Sequence, residues 1–92
     1  VVGRDQGKAA EVAAALGADH AGFGADLADV AQATALVEAV EAHFGGIDIL
    51  VNNAGLTRDN VIMRLKDEDW DAVLNANLRG AFATIRAASR GM

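Results

Sequence analysis

The sequence has no cysteine, so no disulfide can staple it, and no cluster of metal ligands stands in for a core. His20 and His43 are isolated, without acidic partners at ligand spacing, and read as ordinary surface or edge residues. No metal site is expected. The lack of cysteine fits a reducing compartment. Basic residues are also scarce: 8 Lys and Arg face 13 Asp and Glu, a net charge of −5, and they are scattered. Phosphate binding by nucleic-acid partners needs a basic patch, so that class is set aside. No apolar run approaches the roughly 20 residues of a membrane span, and no signal-peptide pattern opens the chain. The expectation is a soluble, cytoplasmic protein. Repeats, linkers and low-complexity segments are absent as well.

Ninety-two residues is one small domain or a piece of a larger one, and a chain this short buries too little surface to be more than marginally stable alone. It opens on Val1-Val2-Gly3, as though partway through a strand, and stops at Gly91-Met92 just after a helical stretch. Both ends read as cut points within a longer protein.

Val1 and Val2, followed by Gly3, read as the last residues of a buried strand. Asp5 is placed to cap a helix over Gln6–Leu16, which Gly17 ends. His20–Ala25 is a short, weakly apolar segment, a second strand. Asp26 and Asp29 are alternative N-caps for a helix from about Val30 to Phe44, in which Val30, Ala33, Val37, Val40 and Phe44 recur at helical spacing. Gly45-Gly46 stops it. Ile47–Val51 is the clearest strand, nearly all apolar as in a strand covered on both faces. A polar loop from Asn52 to about Lys66 leads to a long helix from about Asp67 to Ala88. Its apolar stripe comprises Trp70, Val73, Leu74, Leu78, Ala81, Phe82 and Ile85. The acidic run Asp67-Glu68-Asp69 suits a helix N-terminus. Strands alternating with helices of this length imply βαβ crossovers and a parallel sheet. The fold class is α/β.

Open parallel sheets bind ligands outside the carboxyl ends of their strands. Three such ends are present here: Gly3-Arg4-Asp5, Asp26-Leu27 and Asn52-Asn53-Ala54-Gly55, all on one edge of the sheet. Ala54 and Gly55 remove side-chain bulk, so a ligand can approach the backbone, and the two amides can lock the strand end to its neighbours. A plain polar turn would use the same residues. Arg4 places a guanidinium where a dinucleotide's ribose would lie, suited to a phosphate; a solvated Arg at a helix start is the plainer alternative. Asp26 serves as an N-cap, as an adenine contact, or as both. Asn77 falls inside the apolar stripe of the last helix. A buried amide left unpaired costs about 1–3 kcal/mol, so it calls for a partner, in either a structural or a site role.

Ile47-Asp48-Ile49-Leu50-Val51-Asn52-Asn53-Ala54-Gly55 resembles the fourth-strand signature of short-chain dehydrogenases/reductases, and Asn77-Leu78-Arg79-Gly80 resembles that family's next motif. The segment Leu56-Thr57-Arg58-Asp59-Asn60-Val61-Ile62-Met63-Arg64-Leu65-Lys66, with Asp69-Trp70, looks most like the 3-oxoacyl-[acyl-carrier-protein] reductases within it; acetoacetyl-CoA reductases share parts of the pattern. The resemblance covers nearly the whole chain and implies a partial Rossmann-type, doubly wound parallel sheet, from the end of the second family strand to the fourth helix. Residues 1–92 would then be a dinucleotide-binding domain truncated at both ends.

The same resemblance implies roles. Arg4 would favour NADPH. Asp26 and Leu27 would flank the adenine, and Asn53, Ala54 and Gly55 would border the ribose. Asn77 would be the helix Asn of a catalytic tetrad, its backbone holding a water of a proton relay. The implied reaction is NADPH-dependent reduction of a 3-oxoacyl thioester, on acyl carrier protein or on coenzyme A, in fatty acid biosynthesis. A non-catalytic assembly piece is the alternative, since the family's fourth helix packs on a partner subunit and Ala81, Ala83, Ala87 and Ala88 allow close approach. A homo-oligomer through the last helix is expected. Two family features are missing. There is no glycine-rich turn after a first strand, and no Tyr-x-x-x-Lys pair, the sequence having no tyrosine at all. Ser89 does not match the family's catalytic serine. The implied sheet order pairs Val1–Gly3 in parallel with part of Ala21–Ala25. It leaves Ile47–Val51 one strand position away, or collapsed sideways to fill the gap.

Overall fold

Asp5 opens the first helix by accepting hydrogen bonds from the Gly7 and Lys8 amides (2.9 and 3.2 Å), which satisfies two of the donors a helix N-terminus leaves free. In the computed structural model, which describes residues 1–92, this helix, α1, spans Gln6–Leu16. Asp29 does the same for α2, Val30–Phe44, accepting from Ala31 and Gln32. Gly45 closes α2 in the left-handed region at φ 84°, where a Cβ is penalised. Of the two candidate caps, Asp29 is therefore the one used.

The strands are short. β1 (Val2–Gly3) and β2 (Phe23–Gly24) pair in parallel, Val2 with Phe23 and Gly3 with Gly24, through Phe23 N–H to Val1 C=O (2.8 Å) and Ala25 N–H to Gly3 C=O (2.9 Å). The expected parallel partner is thus found, and the chain is α/β. Helix α1 lies on both strands. Helix α2 meets β2 and packs chiefly on the last helix.

Ile47–Val51 forms no ladder. No backbone–backbone hydrogen bond reaches residues 46–60, and Ile49 and Val51 are exposed. An apolar cavity of about 540 Å³ separates the segment from Val1 and Val2, with Leu36, Val37 and Val40 of α2 in its wall. Of the two expected arrangements, the segment is the unpaired one. A strand needs a neighbour at about 4.8 Å; across this cavity there is none, so composition alone leaves the ladder unmade.

The polar loop contains one unexpected 3₁₀ turn, Ile62–Arg64. The long helix is continuous but not uniform: α3 (Asp67–Val73) passes through a π turn (Leu74–Arg79) into α4 (Gly80–Ser89). The Gly80 N–H bonds Asn75 C=O, five residues back, the bonding of a π turn. The stripe expected to be buried faces outward on both sides of the π turn: Trp70 before it, Leu78 within it, and Phe82 and Ile85 after it are exposed. The inward face is made of small residues, with Ala83, Thr84 and Ala88 buried. Two alanines of the expected oligomer stripe, Ala83 and Ala88, are therefore spent within the chain. Only 10 of 92 residues are buried, and most of them are alanines; the packing relies on close approach rather than on large side chains. No helix is long and apolar enough to cross a membrane.

Candidate functional site

The ends of β1 and β2 and the segment after Val51 meet at a cleft of about 220 Å³. Arg4 and Gly3 line one side, Asp26 and Leu27 a second, and Ala54, Gly55 and Leu56 a third. Five of the seven residues singled out in the sequence, Arg4, Asp26, Leu27, Ala54 and Gly55, therefore share one wall-to-wall space. Asn53 lies beside it, in the wall of the larger apolar cavity. Asn77 reaches the same cleft indirectly.

Arg4 makes no hydrogen bond or ion pair within the chain; the only ion pair joins Arg58 to Asp69 at 3.8 Å. Its guanidinium is free for a ligand. Asp26 accepts from the Ala28 amide (3.0 Å), and its own N–H donates to the Gln32 side chain (2.9 Å). One carboxylate oxygen holds the turn, and the other has no partner in the chain. Leu27 touches the last helix through its main chain. A Cβ at Gly80 would stand 2.6 Å from the Leu27 oxygen, so only glycine lets α4 begin there.

Two side chains tie down the segment after Val51. The Thr84 hydroxyl, 3% exposed, lies 2.8 Å from Asn52 Oδ1 and 3.0 Å from Ala81 C=O, and its single proton serves these two acceptors. The Asn77 amide pairs with both main-chain groups of Leu56: Leu56 N–H to Asn77 Oδ1 at 2.7 Å, and Asn77 Nδ2 to Leu56 C=O at 2.9 Å. It acts as one rung of a strand would. Asn77, expected on a buried stripe, is instead exposed, as is Trp70 on the same stripe. Its expected partner is present all the same. A Cβ on Gly55 would lie 3.5 Å from Asn77 Oδ1, so this pairing also closes down over the glycine.

The sequence marks Gly80 only as the end of the Asn77–Gly80 motif and leaves Thr84 unmarked, although a signal is there: Gly80, Ala83, Thr84, Ala87 and Ala88 form a small-residue face at helical spacing. Gln6 and Gly22, which clamp the edge of β2, carry no local signal.

The model of the short chain dehydrogenase family matches residues 1–92. Among curated relatives, the 3-oxoacyl-[acyl-carrier-protein] reductase FabG of Staphylococcus aureus (strain N315) is 44% identical over 78 residues, 85% of this chain and 32% of the relative. The enzyme of the same name from Escherichia coli (strain K12) is 44% identical over 77 residues, 84% of this chain and 32% of the relative. That from Salmonella typhimurium is 43% identical over 77 residues, with the same coverage. The chain thus spans about a third of the length of these relatives. With its whole length matched and its strand-end cleft in place, the chain belongs to the short-chain dehydrogenase family.

Proposed function

We propose that this chain is the cofactor-side segment of an NADPH-dependent reductase of 3-oxoacyl thioesters, its substrate carried on acyl carrier protein. The observation that carries the reading is the shared cleft. A free guanidinium, a half-used carboxylate and a bulk-free Ala54-Gly55 backbone line one space, while 3-oxoacyl-[acyl-carrier-protein] reductases are the relatives at 44% identity. These residues fit NADPH. Arg4 would take the 2′-phosphate in a charge-assisted contact, Asp26 and Leu27 the adenine, and Asn53, Ala54 and Gly55 the ribose. When bound, NADPH supplies the hydride. Asn77 would hold the loop at Leu56 and, through its backbone, a water in the proton path. By the family resemblance the acid that protonates the substrate oxygen would be the tyrosine of the Tyr-x-x-x-Lys pair, and these 92 residues contain no tyrosine. The outward face of Leu78, Phe82 and Ile85 supports self-association through the last helix.

In the full-length protein, Arg4→Asp is expected to shift the NADPH-to-NADH ratio of kcat/KM toward NADH by about tenfold or more, since a charge-assisted hydrogen bond is worth about 1.5–3 kcal/mol. An unchanged ratio would assign the 2′-phosphate to another residue. The 92-residue chain by itself is expected to give no turnover of an acetoacetyl thioester with NADPH; activity above background there would contradict the assignment of the acid elsewhere.

A further inference from the structure

β2 has two edges. One bonds β1. On the other, the Gly22 carbonyl and the Gly24 N–H are both taken by a single side chain: Gln6 Nε2 donates to Gly22 C=O at 2.7 Å, and Gly24 N–H donates to Gln6 Oε1 at 2.6 Å. The carboxamide stands where the peptide group of a neighbouring strand would stand. Two glycines make this reach possible. A Cβ at Gly22 would overlap the main chain of Ala9 and Ala10 at 2.2–2.4 Å, and one at Gly24 would sit 3.0 Å from Gln6.

The place of this clamp in the chain connects it to the cleft. Gln6 is the first residue of α1, two residues after Arg4, and Gly24 is two residues before Asp26. Asp26 is held separately, by Gln32 of α2. The β1–β2 ladder is only two residues long and is weak by itself. Releasing Gln6 would therefore let the start of α1, and Arg4 with it, move while Asp26 stays with α2.

We infer that Gln6 is a positioning residue for cofactor discrimination: its carboxamide sets the separation of Arg4 from Asp26, and so the fit of the 2′-phosphate. The inference rests on the proposed contact of Arg4 with that phosphate. Gln6 touches no ligand and acts through Arg4.

The test uses the full-length protein and Gln6→Met, which keeps length and helix preference but removes both hydrogen bonds. Loss of two ordinary hydrogen bonds predicts a fall of about tenfold in kcat/KM for NADPH. The fall should be carried by KM, with kcat and the NADH parameters within about twofold. The Gly24 amide should lose protection against hydrogen exchange. In an Arg4→Asp background the same change should leave the NADPH-to-NADH ratio unmoved, as expected when one residue acts through the other. The inference is overturned if Gly24 loses protection while the ratio stays at its wild-type value, or if the ratio falls equally in the Arg4→Asp background. Should Arg4→Asp by itself leave the ratio unchanged, the reading of Arg4 fails first and this inference with it.

Discussion

Gly22→Ala should cost the full-length protein about 3 kcal/mol of stability, the upper range for forcing a methyl group into a packed site. The new Cβ would stand 2.2 Å from the Ala9 carbonyl carbon, 2.3 Å from its oxygen and 2.4 Å from the Ala10 nitrogen. These are helix main-chain atoms, so no side-chain rotation relieves the overlap. Helix α1 would have to back away, taking the buried Ala9 and Ala13 off the sheet and pulling the Gln6 carboxamide from Gly22 and Gly24. Two other glycines separate this steric cause from a conformational one. At Gly3 nothing lies within 4 Å of where a methyl group would stand, and the residue is not in the left-handed region. Gly3→Ala should therefore change stability by less than about 0.5 kcal/mol. Gly45 has open space but φ 84°, so Gly45→Ala should cost about 1–2 kcal/mol from conformation alone. Urea unfolding of the three variants gives the order. A Gly22→Ala midpoint no lower than that of Gly3→Ala would mean that α1 yields freely, and the close contact would carry no stability.

What could be read from the sequence divides along the reach of the interactions involved. Both α1 and α2 begin and end as expected because Asp5, Asp29, Gly17 and Gly45 act on backbone groups within a few residues of themselves. The choice between Asp26 and Asp29 is open in the sequence only because both are near enough to cap. The parallel pairing of β1 with β2 follows from the alternation of strand and helix. The ladder at Ile47–Val51 does not form, since its apolar composition states what the segment prefers and not what stands beside it. For the long helix, the apolar stripe presumes that the largest apolar residues face inward, yet Trp70 before the π turn and Phe82 and Ile85 after it are all exposed. Small residues, Gly80, Ala83, Thr84 and Ala88, take the inward face instead, and large apolar residues suited to a core turn outward. Five of the seven candidate residues nonetheless share the cleft, because β1 and β2 end on one edge and Asn77 and Thr84 hold the segment after Val51 beside them. Gln6, Gly22 and Thr84 escape notice for one reason. Each matters through a contact 13 to 32 residues away in sequence, and a lone Gln, Gly or Thr carries no local mark of such a contact.

Asn77→Ala should lower kcat of the full-length protein by about a hundredfold while changing the dissociation constant for NADPH by no more than about threefold. Little holds the segment after Val51. No backbone–backbone hydrogen bond reaches residues 46–60, and the side-chain links from the last helix are Thr84 to Asn52 and Asn77 to Leu56. Alanine at position 77 removes both bonds to Leu56 together. Gly55 and Leu56 would drift from the cleft, and the π turn would lose the contact that holds it against them. A displacement of about 1 Å in a positioning element is enough to cost 10²-fold in rate, whereas Arg4, Asp26 and Leu27 sit on other segments and would keep their hold on the cofactor. Asn77→Asp retains the acceptor for the Leu56 N–H and loses the donor to its carbonyl, so it should fall between alanine and the native residue. Thr84→Val loosens the same segment at Asn52 without touching Asn77. If it lowers kcat as much as Asn77→Ala does, loop position accounts for the whole effect; a much smaller loss places the difference on the atoms of Asn77 and its turn. An unchanged kcat in Asn77→Ala would leave this residue a structural pin with no part in the chemistry.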